Sequence, residues 1–596
     1  MAKTPFTPFR GRRSVVHGLN GMVACSQPLA AMAGHRILTQ GGNAASIAFI
    51  DFVNVAAALN ATEPASTGIG GDMFCLFYDA PTKKISALNG SGRAPKAITL
   101  DQVRTRLQLS PGKSGTIPLD SVLAVTTPGA AAGWVDTIER FGSGKLGLHQ
   151  ILAPAIEICE RGFPVSEVSS SMVEHLLIIP YQWHGHEPTL RKASPHFHEL
   201  LKTDAAAPDG CRSPLPGEVM TNHALATTFR ALATEGKDGF YRGRVADSIV
   251  TAVQDLGGFL THEDLEYHAQ TGSQMVDPIC LRLWADQQQQ ALDIWEHPPN
   301  GQGVVALMAL GIMEELSRTG RLPPLSRLTH NSPEYLHALI ECLRIAFSDA
   351  AWWVADPEVE RVPNLISKAY LAERAKLYSP SKASDVICRG SPAFQSCDTV
   401  YFAVADREGN AASFINSNYH GFGTGIVPAG CGFTLQSRGA NFSLTPGHPN
   451  VLAPLKRPYH TIIPAMATHA ADGSLHTVFG VMGGFMQPQG HVQVLLNMLV
   501  FGLNPQEALD APRICIAVED DDAEGGVHHS MVYVENGIEQ KVIDELQQKG
   551  HHVEKVTGWK RELFGRGQVI RCQREASYRV YSGGSDIRGD GLAIPL

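Results

Sequence analysis

Residues 394–405 read FQSCDTVYFAVA, and a strand-like run opens abruptly with a threonine, Thr399, at its first position. A β-branched residue at the start of a strand is ordinary. Thr399 becomes chemically distinctive only if the bond before it is cut. It then carries a hydroxyl nucleophile and, on the same residue, an α-amino base with a pKa near ~8. The surrounding sequence decides between the two readings.

Upstream, residues 376–397 (KLYSPSKASDVICRGSPAFQSC) are rich in Ser, Pro and Lys and carry no clear period. They read as an exposed or mobile segment. Downstream, TVYFAVA and AASFINS flank the turn DREGN, which predicts a hairpin. HTIIPAMATHA, LHTVFGVMGG and ICIAVE continue the strand character, with a helix at HVQVLLNMLVFG. Before the loose segment the pattern is mostly helical. Two helices are predicted on either side of Gly41–Asn43, one ends at Gly162, and another ends at Gly257 and Gly258. Thr261 and Ser332 read as N-caps. TGIGGDMFCLFYDA leads from a glycine turn into a strand. The expectation is a helix-rich part, a loose joint, and a sheet-rich part that starts at Thr399.

The 596 residues are 44% hydrophobic and 18% charged, a globular composition long enough to build a core without disulfides or metal. A net charge of −9 gives no basic footprint for nucleic acid. The eleven cysteines contain no CxxC pair, so free buried thiols are expected rather than a zinc ribbon or a disulfide framework. The basic N-terminus is followed by no apolar run, and no stretch reaches the ~18 apolar residues of a membrane span. The expectation is a cytoplasmic protein with no membrane partner.

Other motifs are weaker. GVMGGFMQP places Gly483 and Gly484 just after an apolar strand, where paired glycines turn backbone N–H groups toward an oxyanion or simply make a turn. HGFGTG at 420–425 lacks the third glycine and the following helix of a dinucleotide fingerprint. The histidines of SPHFHEL and VHHS lack metal-ligand spacing. No metal or organic cofactor is implied.

The stretch CDTVYFAVADREGNAASFINSNYHGFGTGIVPAGCGF resembles the start of the small subunit of the γ-glutamyltransferase (glutathione hydrolase) family, which belongs to the N-terminal nucleophile hydrolases. GGNAASIA, EPASTGIGGDMF, GRAPKA, TPGAAAGW, APAIEICERGFPVS, GFYRGRVADSI, PPNGQG, KRPYHTIIP and the final GSDIRGDG also resemble family blocks, in the family's order. The resemblance implies an α+β fold, a four-layer αββα sandwich. It implies a precursor that cuts itself between Asp398 and Thr399. Residues 1–398 and 399–596 would stay together as the large and small subunits of one αββα unit.

By the same resemblance Thr399 is nucleophile and base, Ser417 is the hydroxyl that hydrogen-bonds it, and Gly483 and Gly484 form the oxyanion hole. Asn410 matches a structural turn residue. The substrate clamp departs from the family pattern. The usual carboxylate arginine falls on Ser91, with Arg93 two residues on; the usual ammonium-binding aspartate falls on Asn441. A serine pair becomes His460 and Thr461, and a glutamine becomes Arg438. Arg438 or Arg93 is left to hold a substrate carboxylate. The implied activity is hydrolysis or transfer of γ-glutamyl amides such as glutathione through an acyl-threonine ester. This altered set also resembles the branch that contains oxamate amidohydrolase, so hydrolysis of a small carboxylate amide stays open. So does an unprocessed binding or scaffold protein.

Overall fold

The computed structural model describes residues 13–40, 48–110, 114–142, 144–170, 182–284, 291–384, 399–518 and 530–596. Two seven-stranded antiparallel sheets face each other. The first runs Leu592–Pro595, Met22–Cys25, Val400–Ala405, Ala411–Ser417, Asp72–Asp79, Lys84–Gly90, Gln274–Val276. The second runs Val16–Gly18, Tyr578–Ser585, Arg566–Glu575, Leu475–Met482, Ala465–His469, Leu292–Glu296, Ile279–Leu283.

Val400, Phe402, Phe414, Val478, Ile570 and Tyr581 belong to the large buried cluster that also covers the first sheet's helices, Pro28–Gln40 and Ala48–Thr62. A second cluster packs helices Gly303–Arg318, Pro333–Trp353 and Met486–Leu499 on the outer face of the second sheet. Helices therefore close both outer faces, giving the four-layer αββα sandwich of the α+β class.

The local signals hold. Gly162 ends helix Leu148–Arg161 at φ +86°, and Ser332 caps Pro333–Trp353 by accepting from the Tyr335 N–H. Thr261 forms a capping box with Asp264. The DREGN hairpin is closed by the Asp406 carboxylate, which accepts from Gly409 and Asn410 N–H and from the Asn410 side chain. The Gly41–Asn43 break and Asp398 lie outside the described residues. All described cysteines are free thiols.

Two expectations need correction. The chain is not a helical part joined to a sheet part, because both sheets mix strands from before and after Thr399. Ile514–Val518 lies apart from them, in a small sheet with Ser530–Glu535 and His552–Val556. The start of the 376–397 segment is exposed at Lys376, Leu377 and residues 380–382, as its composition implied, but it is not loose. Arg321 donates to the carbonyls of Ala375 and Tyr378, and His337 Nε2 meets Ser379 O at 2.7 Å. Lys549 Nζ donates to Pro380 O at 2.8 Å, the Ala383 N–H donates to Lys549 O at 2.7 Å, and the Ser384 N–H donates to Glu341 at 2.8 Å. Ser, Pro and Lys gave no period, but partners from distant helices hold the backbone.

Candidate active site

Strand register builds the centre of the site. Val400 pairs with Asn416, so Thr399 stands beside Ser417; Ser417 in turn pairs with Asp72 on the next strand. Thr399, Ser417 and Asp72 thus form a row across three neighbouring strands. Thr399 is 1% exposed and its Oγ1 donates to Ser417 Oγ at 3.1 Å. Ser417 Oγ also accepts from the Tyr419 N–H at 2.9 Å. Tyr419 sits at φ +79°, unusual for an aromatic residue, and its ring lies under the Arg438 guanidinium at 4.5 Å.

Arg438 is fully buried and donates from Nη1 to Thr461 Oγ1 at 2.8 Å. His460 Nε2 donates to Asp72 Oδ2 at 3.0 Å, and its Nδ1 accepts from the Ile462 N–H at 3.3 Å. Both ring nitrogens are satisfied by the neutral Nε2–H form. Burial, and then the Arg438 charge, push the His460 pKa down to about 3. Burial alone would raise the Asp72 carboxyl, but the His460 hydrogen bond, the Arg438 charge and the Gly92 N–H outweigh it and hold it below its ordinary value.

Gly483 and Gly484 turn the chain between strand Leu475–Met482 and helix Met486–Leu499 at φ +123° and +54°. Among the described residues no acceptor takes either N–H. Gln302 holds this turn to the loop that carries His460 and Thr461: its Nε2 donates to Gly484 O at 2.9 Å and to Thr461 O at 2.7 Å. Tyr459 O–H donates back to Gln302 Oε1 at 3.0 Å.

The structure brings Ser417 to Thr399, and His460 and Thr461 to Asp72 and Arg438. It does not bring the Arg93 side chain into this group. Arg93 Nη2 pairs with Glu358 at 2.6 Å, and Arg457 shares that carboxylate at 3.2 Å. Asn441 is half-buried, and its Nδ2 donates to Tyr459 O at 3.0 Å. Sequence reading missed Asp72, Tyr419, Gln302 and Gln436. Asp72 lies within the quoted GGDMF block, but only its strand register reveals it as a neighbour of Ser417. The described residues contain no group of three or more His, Cys, Asp or Glu side chains placed to hold a metal. No described helix is long and apolar enough to cross a membrane.

A four-layer αββα sandwich with a buried threonine heading a central strand is the architecture of N-terminal nucleophile hydrolases. The chain belongs to the gamma-glutamyltranspeptidase family, whose model matches residues 30–596, and it is an enzyme of that class. It is 32% identical to the glutathione hydrolase-like YwrD proenzyme of Bacillus subtilis (strain 168), over 98% of this chain and 100% of that one. It is 29% identical to the oxamate amidohydrolase proenzyme of Klebsiella pneumoniae, over 96% of this chain and 98% of that one. Among solved structures, cephalosporin acylase from Bacillus halodurans superposes with a TM-score of 0.82 at 37% identity, over 100% of this chain and 99% of that one.

Proposed function

We propose that the chain cuts itself between Asp398 and Thr399 and then hydrolyses or transfers the acyl group of γ-glutamyl amides, glutathione-like donors included. The observation that carries this reading is the Thr399–Ser417 hydrogen bond at the head of a central, buried strand. In the first step Thr399 Oγ adds to the Asp398 carbonyl. The peptide C–N bond breaks, an ester forms, and water hydrolyses it. Residues 1–398 and 399–596 remain as the two subunits.

In the second step the freed amine takes the proton of Thr399 Oγ as the oxygen attacks the donor amide. Ser417 orients that oxygen, and the N–H groups of Gly483 and Gly484 meet the developing oxyanion. The leaving amine departs with the proton, and water or an acceptor amine releases the acyl group. Arg438 holds the donor's carboxylate.

A second reading is favoured by Asn441. A neutral amide committed to Tyr459 O gives a donor's α-ammonium no ion pair. Donors without that ammonium, such as oxamate or a dicarboxylic monoamide, then fit as well as γ-glutamyl compounds. The relative named oxamate amidohydrolase supports this reading.

The test has two parts. N-terminal sequencing of the smaller fragment should return TVYFAV. Thr399→Ala should stay uncut and inactive, with turnover down at least ~1000-fold, the scale of a lost nucleophile. A single full-length band from active protein would sink the mechanism, and one from inactive protein would favour the scaffold alternative. A donor panel of γ-glutamyl-p-nitroanilide, its analogue lacking the α-amino group, glutathione and oxamate then separates the two substrate readings.

A further inference from the structure

We propose that Asp72 is the positioning residue of the acyl-donor clamp, the buried anion that sets three loops and Arg438 against the donor's carboxylate. This rests on the reading of Arg438 as the carboxylate anchor.

Asp72 is fully buried, yet four donors converge on it. Oδ1 accepts from the Gly92 N–H at 2.9 Å, the Gly129 N–H at 3.1 Å and Gln436 Nε2 at 2.8 Å; Oδ2 accepts from His460 Nε2 at 3.0 Å. Each donor belongs to a different segment. Gly92 lies between Ser91 and Arg93, and Gly129 begins helix Ala130–Phe141. Gln436 is two residues before Arg438, and His460 immediately precedes Thr461, the acceptor for Arg438 Nη1. The backbone approaches are too close for any side chain. A Cβ on Gly92 would lie 1.6 Å from Thr127 O, and one on Gly129 would lie 2.1 Å from Gly90 O. One carboxylate therefore ties together the segments that carry the altered clamp residues.

The ionised form is required, because only a carboxylate accepts at both oxygens. Asp72→Asn keeps the shape but places an NH2 against one set of donors. Facing Oδ1's partners, it meets three N–H groups. Facing His460, it forces the imidazole proton to Nδ1, where the Ile462 N–H already donates. Either arrangement displaces the loops that hold Arg438 and Thr461. The Thr399–Ser417 bond shares none of these donors, so self-cleavage should persist.

The experiment uses the full chain and two amide donors, one bearing a terminal carboxylate and an isostere bearing a carboxamide instead. The readout is the ratio of their kcat/KM values, together with processing and melting temperature. Asp72→Asn should be processed and should lower the ratio about tenfold, mostly through KM of the carboxylate donor, as expected for one charge-assisted contact. Gln436→Met, which removes a single donor, should shift the ratio about threefold in the same direction. In an Arg438→Ala background, Asp72→Asn should change the ratio no further, because both act on one interaction.

Equal losses on both donors in step with a lower melting temperature would reduce Asp72 to a purely structural role. If Arg438→Ala collapses the ratio while Asp72→Asn and Gln436→Met leave it in place, this inference alone is wrong. If Arg438→Ala itself leaves the ratio untouched, the anchor reading fails and takes the inference with it. Should Asp72→Asn prove insoluble, Gln436→Met decides.

Discussion

Two buried carboxylates, Asp72 and Asp586, are held in contrasting ways. Asp586 pairs with two arginines, Arg513 Nη2 at 2.6 Å and Arg588 Nη1 at 2.9 Å, and accepts the Gly567 N–H. Arg588 also binds Glu535, and Arg561 joins the same carboxylate at 2.6 Å. Direct ion pairs meet both carboxylates there, tying strand Tyr578–Ser585 and the tail after it to the small sheet. The hydrogen-bond donors named around Asp72 are all neutral, and Arg438 acts on it through space. A structural carboxylate is neutralised by direct ion pairs. Asp72 is instead satisfied by neutral dipoles, with the Arg438 charge close enough to act on it.

The largest expected effect tests the structural member. Arg513→Met leaves Asp586 short of a fully buried partner and should destabilise the fold by about 3–5 kcal/mol in denaturant titrations. Gln436→Met, beside Asp72, should cost less, about 1.5–3 kcal/mol, the scale of a hydrogen bond to a charged group. Equal costs would break the contrast.

Acid should expose the same difference. Burial raises the Asp586 carboxyl, but the Arg513 and Arg588 charges more than compensate and hold it at about 2. A folded value below the unfolded one gives stability that is complete above the unfolded carboxyl range, near ~4. That share is lost as pH falls from there through about 2. Melting temperatures at pH 5 and pH 3 should therefore differ, and Arg513→Met should shrink the step. A step of undiminished size would move the acid-labile group elsewhere.

The rate profile sharpens the other member. His460 stays neutral down to about 3, so it should contribute no inflection near neutrality. The acid limb of kcat/KM should instead follow the Thr399 α-amine, with an ordinary value near ~8. An inflection near ~6.5 that vanishes in His460→Gln would overturn the neutral Asp72–His460 pairing.

Asn441→Asp should give the smallest change. It should improve KM about three- to tenfold for a donor with an α-ammonium, the worth of a partly exposed ion pair, and leave the amino-free donor alone. Equal effects on both donors would remove Asn441 from the donor's surroundings.

Thr399 and Ser417 were legible because the family resemblance picked them out and both lie in regular structure, whereas Asp72 on the next strand was not. A tight hairpin without insertions fixes the offset from Thr399 to Ser417, so counting along the chain places the two hydroxyls together. The Gly483–Gly484 turn is announced by the strand before it. The clamp was less legible because its contacts are distant in sequence. Arg93 finds Glu358 265 residues away, and the donors to Asp72 come from 20, 57, 364 and 388 positions away. No local pattern encodes such convergence. The start of the 376–397 segment was misread for the same reason: composition read it as loose, while its anchors sit on or next to helices Gly303–Arg318, Pro333–Trp353 and Gln540–Gln548.

The mixing of strands across Thr399 has a consequence for the cut chain. Residues before 398 and after 399 meet along five hydrogen-bonded seams: Met22–Cys25 against both Leu592–Pro595 and Val400–Ala405, Ala411–Ser417 against Asp72–Asp79, Val16–Gly18 against Tyr578–Ser585, and Leu292–Glu296 against Ala465–His469. Met22–Cys25 is threaded between two strands of the other piece. Pulling the pieces apart would mean tearing both sheets down the middle, so there is no separation short of denaturation. Dilution should not dissociate the nicked protein, and it should melt as a single body. A cut before Thr399 would leave two pieces interlaced through both sheets.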